Sequence, residues 1–391
     1  MMKVAMKYGC NPHQKPAELI IDQEPSPLQI LNGNPGYINM LDALGAWQLV
    51  RELRAATGLP AAASFKHTSP AGAAIARPLT DDFRASQMLA KDDFSPVATA
   101  YARARGGDRM SSFGDAAAVS DKVDVSLARL FKEEVSDLLI APAYEPEALD
   151  ILKKKKKGSF LILQIDPHYE PSTEMDSRDV FGFMLHQKRN TARITKNDFQ
   201  NVVSAKKEVP QDVLETLVVG TIALKYTQSN SVCLAYDGQV IGMGAGQQSR
   251  IHCTRLACDK AEKWFMQQHP RVLNLPFKDD LGKPAQANVV DQYLIWDQLS
   301  GPEEEAMLSG LTRKPEPVTR IERLEWLKRF DGICLCSDAF IPFRDNVDRA
   351  SRSNVQYVAQ AGNSLRDAEV TEAAEQYGMV MIHTGMRYFL H

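Results

Sequence analysis

Lys66 and His67 stand side by side between the apolar run Ala61 to Phe65 and the tetrapeptide Ser69-Pro70-Ala71-Gly72. An imidazole takes or gives a proton near neutral pH, and an adjacent ammonium stabilises negative charge as it develops, so the pair supplies two groups that acyl transfer needs. Neighbouring side chains of an extended strand point to opposite faces. For both to act on one substrate the strand must have ended here, which the following Ser-Pro permits. A Lys-His dipeptide alone is commonplace, and its weight comes from its surroundings.

Competing chemistries fare worse. Zinc deamination needs His-x-Glu and Pro-Cys-x-x-Cys. His67 is followed by Thr68 and Ser69, and the cysteine pairs are Cys253-x4-Cys258 and Cys334-x-Cys336, so the ligand spacing is missing and no zinc is expected. Cys233 falls in an expected strand, where a buried thiol fills core and stays inert. No GxxxxGK[ST] phosphate loop is visible. Lys7-Tyr8-Gly9-Cys10-Asn11-Pro12-His13-Gln14 suits a phosphate-binding loop and equally a structured amino terminus. Arg387-Tyr388-Phe389-Leu390-His391 offers a guanidinium beside aromatics, for phosphate and a stacked heterocycle, or else a frayed tail. The run Lys153 to Lys157 reads as the solvated, basic end of a helix.

The elements that must position these groups follow from periodicity. Leu41, Leu44, Trp47, Val50 and Leu53 recur every three residues, which predicts a helix from Met40 to Leu53, ending before Gly58 and Pro60. The Ala61 run then reads as a buried strand with Lys66 and His67 at its carboxyl end, where a helix should begin. Val213, Leu214, Leu217, Val218 and Ile222 outline a second helix. Ser231 to Tyr236 and Gln239 to Met243 flank Asp237-Gly238, a hairpin signal. Gly242, Gly244 and Gly246 thin the backbone before a helix that starts near Ser249-Arg250, and backbone donors are expected to face a ligand there. Strands at Ile333 to Cys336, Val355 to Val358 and Met379 to His383, with a helix from Ser364 to Gln376, favour layered α/β architecture.

A length of 391 residues suggests two large lobes, 1-195 and 196-391, with a Pro-rich, charged segment at about 267-323 as a small helical insertion. Hydrophobic residues at 44% and charged residues at 24% are ordinary for a soluble globular protein. A net charge of -3 makes no electrostatic case for a nucleic-acid partner. No apolar run of about 18 residues is present to span a membrane, and the start lacks a signal-peptide stretch, so a cytoplasmic location is expected. Six scattered cysteines are expected as free thiols.

Longer blocks add a resemblance: KYGCNPHQ, LNGNPGYIN, ASFKHTSPAGAA, AYARARGGDRMSSFGD, LKYTQSNSVCLAYDGQVIGMGAGQQSRIHCTRLA and SDAFIPFRDNVDRA. From Tyr8 to His391 the chain closely resembles the transformylase half of bifunctional purine biosynthesis proteins. The resemblance implies an α/β fold of two cytidine deaminase-like three-layer αβα lobes, with a small helical insertion and without the deaminase zinc. It implies transfer of the formyl group of 10-formyltetrahydrofolate, a co-substrate, to the 5-amino group of the ribonucleotide AICAR, with His67 as proton acceptor and Lys66 as stabiliser of the transition state. Lys7, Tyr8, Asn39, Gly114, Asp137, Asn230, Arg250, Arg387 and Phe389 match substrate-binding positions. Lys7 stands where arginine is usual, keeping the charge and losing the bidentate fork. Ile251, Phe340, Asp345, Ser364 and Leu365 match folate-binding positions, Leu365 where a smaller residue is often found. Thr227, Ser229, Ser231 and Asp338 match a potassium site (K+), although such hydroxyls equally cap and cross-link loops. Family members are homodimers with shared active sites. The resemblance also implies that ring closure belongs to a separate IMP cyclohydrolase. Two other readings stay open: a non-catalytic nucleotide-binding or scaffold protein that kept the fold, and a formyltransferase using another donor, such as formate with a nucleoside triphosphate.

Overall fold

Alternation along the strand Ala61–Lys66 sorts the molecule into layers. Ala61, Ala63 and Phe65 enter an apolar cluster with Leu49, Val50 and Leu53 of the helix Tyr37–Thr57. Ala62 enters a different cluster, with Ala98 and Tyr101 of the helix Pro96–Gly106 on the other face. The computed structural model describes residues 2–391. Over those residues the main sheet has 11 strands, in the order Val380–His383, Tyr357–Gln360, Cys334–Ser337, Val232–Tyr236, Gln239–Gly244, Ser69–Ile75, Ala61–Lys66, Asp115–Val119, Ser136–Ala141, Leu161–Ile165 and Leu28–Asn32. The two halves of the sequence join where Gln239 pairs antiparallel with Ala74. The helices Tyr37–Thr57 and Gln211–Lys225 share one core on one face of this sheet. Pro96–Gly106 and Val125–Glu133 cover the other face in the first half, and Arg250–Gln267 covers it in the second. The result is a mixed α/β fold with helices on both sides of the sheet.

Between 267 and 323 the chain forms the short helices Pro270–Leu273, Lys283–Leu294 and Gly301–Ser309, and Arg320–Leu327 begins before that stretch ends. Trp326 anchors the last of them by donating its indole N–H to the Phe265 carbonyl at 2.8 Å.

Two expectations need correction. Leu41 is 44% exposed, and the buried stripe of its helix instead runs through Met40, Ala43, Trp47, Val50 and Leu53, with Asp42 buried beside it. No helix follows Lys66. A hairpin returns as Ser69–Ile75, because Gly72 lets that strand lie on the next helix: a Cβ there would sit 2.1 Å from the Ala104 carbonyl oxygen. Gly242 and Gly244 serve the same end: added Cβ atoms would meet the Ala257 and Cys253 carbonyls at 2.2 and 2.1 Å, so the glycines seat the helix Arg250–Gln267 on the sheet. The sequence reading also missed a two-stranded ribbon, Met175–Val180 with Phe183–Lys188, in which every strand residue is exposed.

Candidate active site

Lys66 pairs with Ser69, and the turn between them is made by His67 and Thr68 at φ 55° and 62°. Two successive left-handed residues make the tight hairpin turn that usually selects Asn and Gly. They also end the strand's strict alternation at Lys66 and His67. The Lys66 ammonium donates to the Phe113 carbonyl, and His67 lies exposed at the tip. Beneath the turn, the Asp42 carboxylate accepts the Thr68 N–H at 2.6 Å. Burial pushes the Asp42 carboxyl above the usual carboxylate range; the Thr68 amide and nearby His67 offset part of this, and Asp137 adds to it.

A buried ionic network sets the loop that receives Lys66. Arg105 bonds Asp115 at 3.0 Å, Glu134 at 3.1 Å and the Ser112 carbonyl at 2.7 Å. The Ser64 hydroxyl joins the same group, donating to Asp115 at 2.8 Å and lying 2.8 Å from the Ser112 hydroxyl. Each buried charge is thus partnered, as it must be in a low-dielectric interior. Next along, Gly114 has φ 75°, and Asp137 lies beside it. The lysine run is not wholly solvated: Lys156 pairs with Asp137, and Lys155 donates to the Glu134 carbonyl. Burial, then repulsion from Lys156 and Arg105, lowers the Lys155 pKa.

The second half approaches through Gln228, whose N–H donates to the Ser69 hydroxyl at 3.2 Å. Two residues on, the Asn230 carboxamide oxygen accepts from Arg250 at 2.8 Å. Arg250 also ion-pairs with the buried Asp338, whose other oxygen accepts from the Ser229 hydroxyl at 2.8 Å and the Ser231 hydroxyl at 3.0 Å. Thr227 turns its hydroxyl back to the Ala223 carbonyl at 2.7 Å. The carboxyl terminus docks here and does not fray: Ser229 N–H donates to the Leu390 carbonyl at 3.0 Å and Tyr388 N–H to the Asp338 carbonyl at 2.8 Å. Arg387 lies 4.7 Å from the Phe389 ring.

Not every expected position joins this cluster. Phe340, 44% exposed, lies in the loop after Cys334–Ser337, Asp345 opens the helix Asp345–Arg352 that follows it, and Ser364 lies in the loop after Tyr357–Gln360, at the carboxyl ends of parallel strands. Ile251 lies next to Arg250, partly buried, in the first turn of its helix. Leu365 projects fully into solvent. Lys7, 5.9 Å from the Tyr8 ring, follows the separate ribbon Met2–Met6 with Ala17–Ile21 and has no ion pair to the residues above. Asn39 spends its carboxamide oxygen on the Gly36 N–H at 3.2 Å, capping its own helix. Burial raises the thiol of Cys233 well above its usual value and that of Cys253 to about 11, which leaves both poor nucleophiles. Among the described residues, no three His, Cys, Asp or Glu gather as metal ligands.

A family model described as "AICARFT/IMPCHase bienzyme" matches residues 1–260, a stretch that holds Lys66, His67, Asn230 and Arg250. The chain belongs to that family. Two relatives, both named bifunctional purine biosynthesis protein PurH, extend the likeness over the remainder. The Roseobacter denitrificans protein is 30% identical over 392 residues, covering 99% of this chain and 59% of its own length. The Magnetococcus marinus protein is 28% identical over 393 residues, with the same two coverages, 99% and 59%. The chain therefore spans 59% of the length of each. In this AICARFT/IMPCHase family chain, Asp42 and Phe113 were the contributors that sequence reasoning passed over. The one sign of Asp42 was its place among apolar residues in the helical stripe.

Proposed function

We propose that this chain works in purine biosynthesis as a formyltransferase, moving the formyl group of 10-formyltetrahydrofolate to the 5-amino group of AICAR. The observation that carries the reading is the Ser69–Gln228 bond, which sets the Lys66-His67 turn beside the loop bearing Asn230, to which Arg250 at the start of the next helix is bonded. The aminoimidazole nitrogen is a weak nucleophile, because its lone pair is delocalised into the ring. His67 takes the amine proton as the new N–C bond forms. The carbonyl oxygen becomes an oxyanion, which the Lys66 ammonium stabilises. Collapse breaks the bond from the formyl carbon to the folate nitrogen, which takes up a proton and leaves as tetrahydrofolate, giving FAICAR. Arg387 has no carboxylate partner among the described residues, so its charge is open to a phosphate. Half-exposed aromatic faces at Phe113 and Phe340 suit a flat heterocycle.

The active form we propose is a homodimer with shared sites. By surface scaling, a compact monomer of this mass exposes about 15,000 Å², whereas the chain exposes 18828 Å². Large apolar side chains stand out on the exposed ribbon, with Phe181 at 96%, Phe183 at 71% and Leu185 at 59%. Potassium, if held, would use the oxygens of Ser229, Ser231 and Asp338, which suit it in type. Arg250 already balances the Asp338 charge, and no step above uses the ion.

The test is to incubate purified protein with AICAR and 10-formyltetrahydrofolate and follow tetrahydrofolate. Turnover is expected. A folded sample that binds AICAR and transfers nothing would support a binding role instead, and a donor panel including formate with a nucleoside triphosphate separates the remaining reading.

A further inference from the structure

We propose that Asp42 is a positioning residue: through Thr68 it holds the turn that presents His67 to the substrate. The inference rests on the formyl-transfer reading above.

The turn needs holding. His67 and Thr68 both adopt positive φ, and Thr, being β-branched, is poorly suited to that region. Such residues persist where the surroundings over-determine them. Ser69 ties one side of the hairpin to the Gln228 amide. On the other side the tie is Asp42, 6% exposed on the long helix Tyr37–Thr57, which Phe65 packs against at Gly45. Its carboxylate accepts the Thr68 N–H at 2.6 Å, a short charge-assisted bond. A carboxylate at such a position is costly unless something needs it. Asp42 forms no salt bridge among the described residues, and it lies buried beside the apolar stripe of its helix. What it does hold is the backbone immediately after His67. Because a small misplacement of a catalytic group costs up to about a hundredfold in rate, a carboxylate that fixes this turn acts on turnover more than on stability.

The experiment compares Asp42→Leu, which loses the acceptor and is somewhat larger, with Asp42→Asn, which is isosteric and keeps an acceptor oxygen. Asp42→Leu is expected to fold and to bind AICAR with a KM within about threefold of wild type, with kcat down roughly tenfold to a hundredfold. Asp42→Asn should lose no more than about threefold. Adding Thr68→Gly to Asp42→Leu should recover at least about fivefold, because glycine takes positive φ without strain. With a purely structural aspartate, kcat and KM would worsen together in the leucine variant, and glycine at 68 would rescue nothing. Turnover of Asp42→Leu within about twofold of wild type, or failure of the rescue, overturns the inference. Should the wild type itself be inactive, the formyl-transfer reading falls. The positioning claim then stands or falls on hydrogen exchange at the Thr68 amide, which must accelerate in the leucine variant and stay slow in the asparagine one.

Discussion

The Gln228 amide donates to the Ser69 hydroxyl at 3.2 Å, across 159 residues of sequence. Ser69 closes the turn that carries Lys66 and His67, and Gln228 lies in the loop that carries Asn230, so this bond registers an ammonium and an imidazole from one half against polar groups from the other. Gln228 is itself fixed by accepting the Gly246 N–H at 2.8 Å. The site is thus assembled on hairpin ends and strand termini whose backbones are tied together.

That arrangement makes the two central side chains separable from binding. In His67→Ala, kcat should fall at least about a hundredfold, the scale of a general base, while calorimetry shows AICAR affinity within a few fold of wild type. Lys66→Gln should lose about a hundredfold or more by removing charge from the oxyanion position. Near-normal turnover in either folded variant removes that residue from its role.

Arg250 and Asp338 make a second prediction, because their pair is buried, with side chains 6% and 0% exposed. Arg250→Met strands a carboxylate in the interior, which should destabilise the protein by about 3–5 kcal/mol in urea unfolding. Asp338→Asn in the same chain removes the stranded charge and should recover part of that loss. An unchanged urea midpoint for Arg250→Met would mean that solvent reaches the carboxylate.

Much of this was legible in the sequence, and what was not has identifiable causes. Helices Tyr37–Thr57 and Gln211–Lys225 were found because burial on one side imposes a period, and the Asp237-Gly238 hairpin because those residues suit left-handed φ, observed at 48° and 70°. The His67-Thr68 hairpin was read as a strand leading to a helix, because Pro70 and Gly72 look like breakers until the Ala104 carbonyl is seen to press on Gly72. Asp42 was invisible as a site residue because a lone acid in a helix ordinarily faces water. The ribbon Met175–Lys188 was missed because its side chains meet no core of this chain, so no burial pattern marked it.

The glycines of Gln239–Gly244 offer a sharp contrast in stability. Gly244→Ala places a Cβ 2.1 Å from the Cys253 carbonyl, so the helix Arg250–Gln267 must shift, at about 1–3 kcal/mol. Since Cys253 lies one turn from Arg250, the KM for AICAR should rise as well. Gly301→Ala, where nothing lies within 4 Å, should leave both stability and KM unchanged. Equal effects at the two positions in thermal melts would refute the packing role given to Gly244.

The exposed ribbon predicts an assembly. Sedimentation at micromolar concentration should give about twice the 43.5 kDa chain mass. Replacing Phe181, Phe183 and Leu185 together by serine should shift the protein toward monomer and reduce turnover in parallel. A triple variant that stays dimeric at wild-type activity would remove the ribbon from the interface.

Asp42 gives the pH prediction, with its sign fixed by burial. Its carboxyl is raised from the ordinary 3.8, so the folded state holds the proton to higher pH than the unfolded chain does. The stability this contributes is fully present below the ordinary value and is lost as pH climbs through the raised one. Two titratable groups face it: His67, which favours the carboxylate, and Asp137, which opposes it. Asp42→Asn carries no such proton. Its stability relative to wild type, from urea midpoints, should therefore rise as pH climbs from the ordinary carboxylate value through the raised one, and then level off. A difference that is flat across that window, or that shifts toward wild type as pH increases, would show that Asp42 reaches water more freely than its 6% exposure implies.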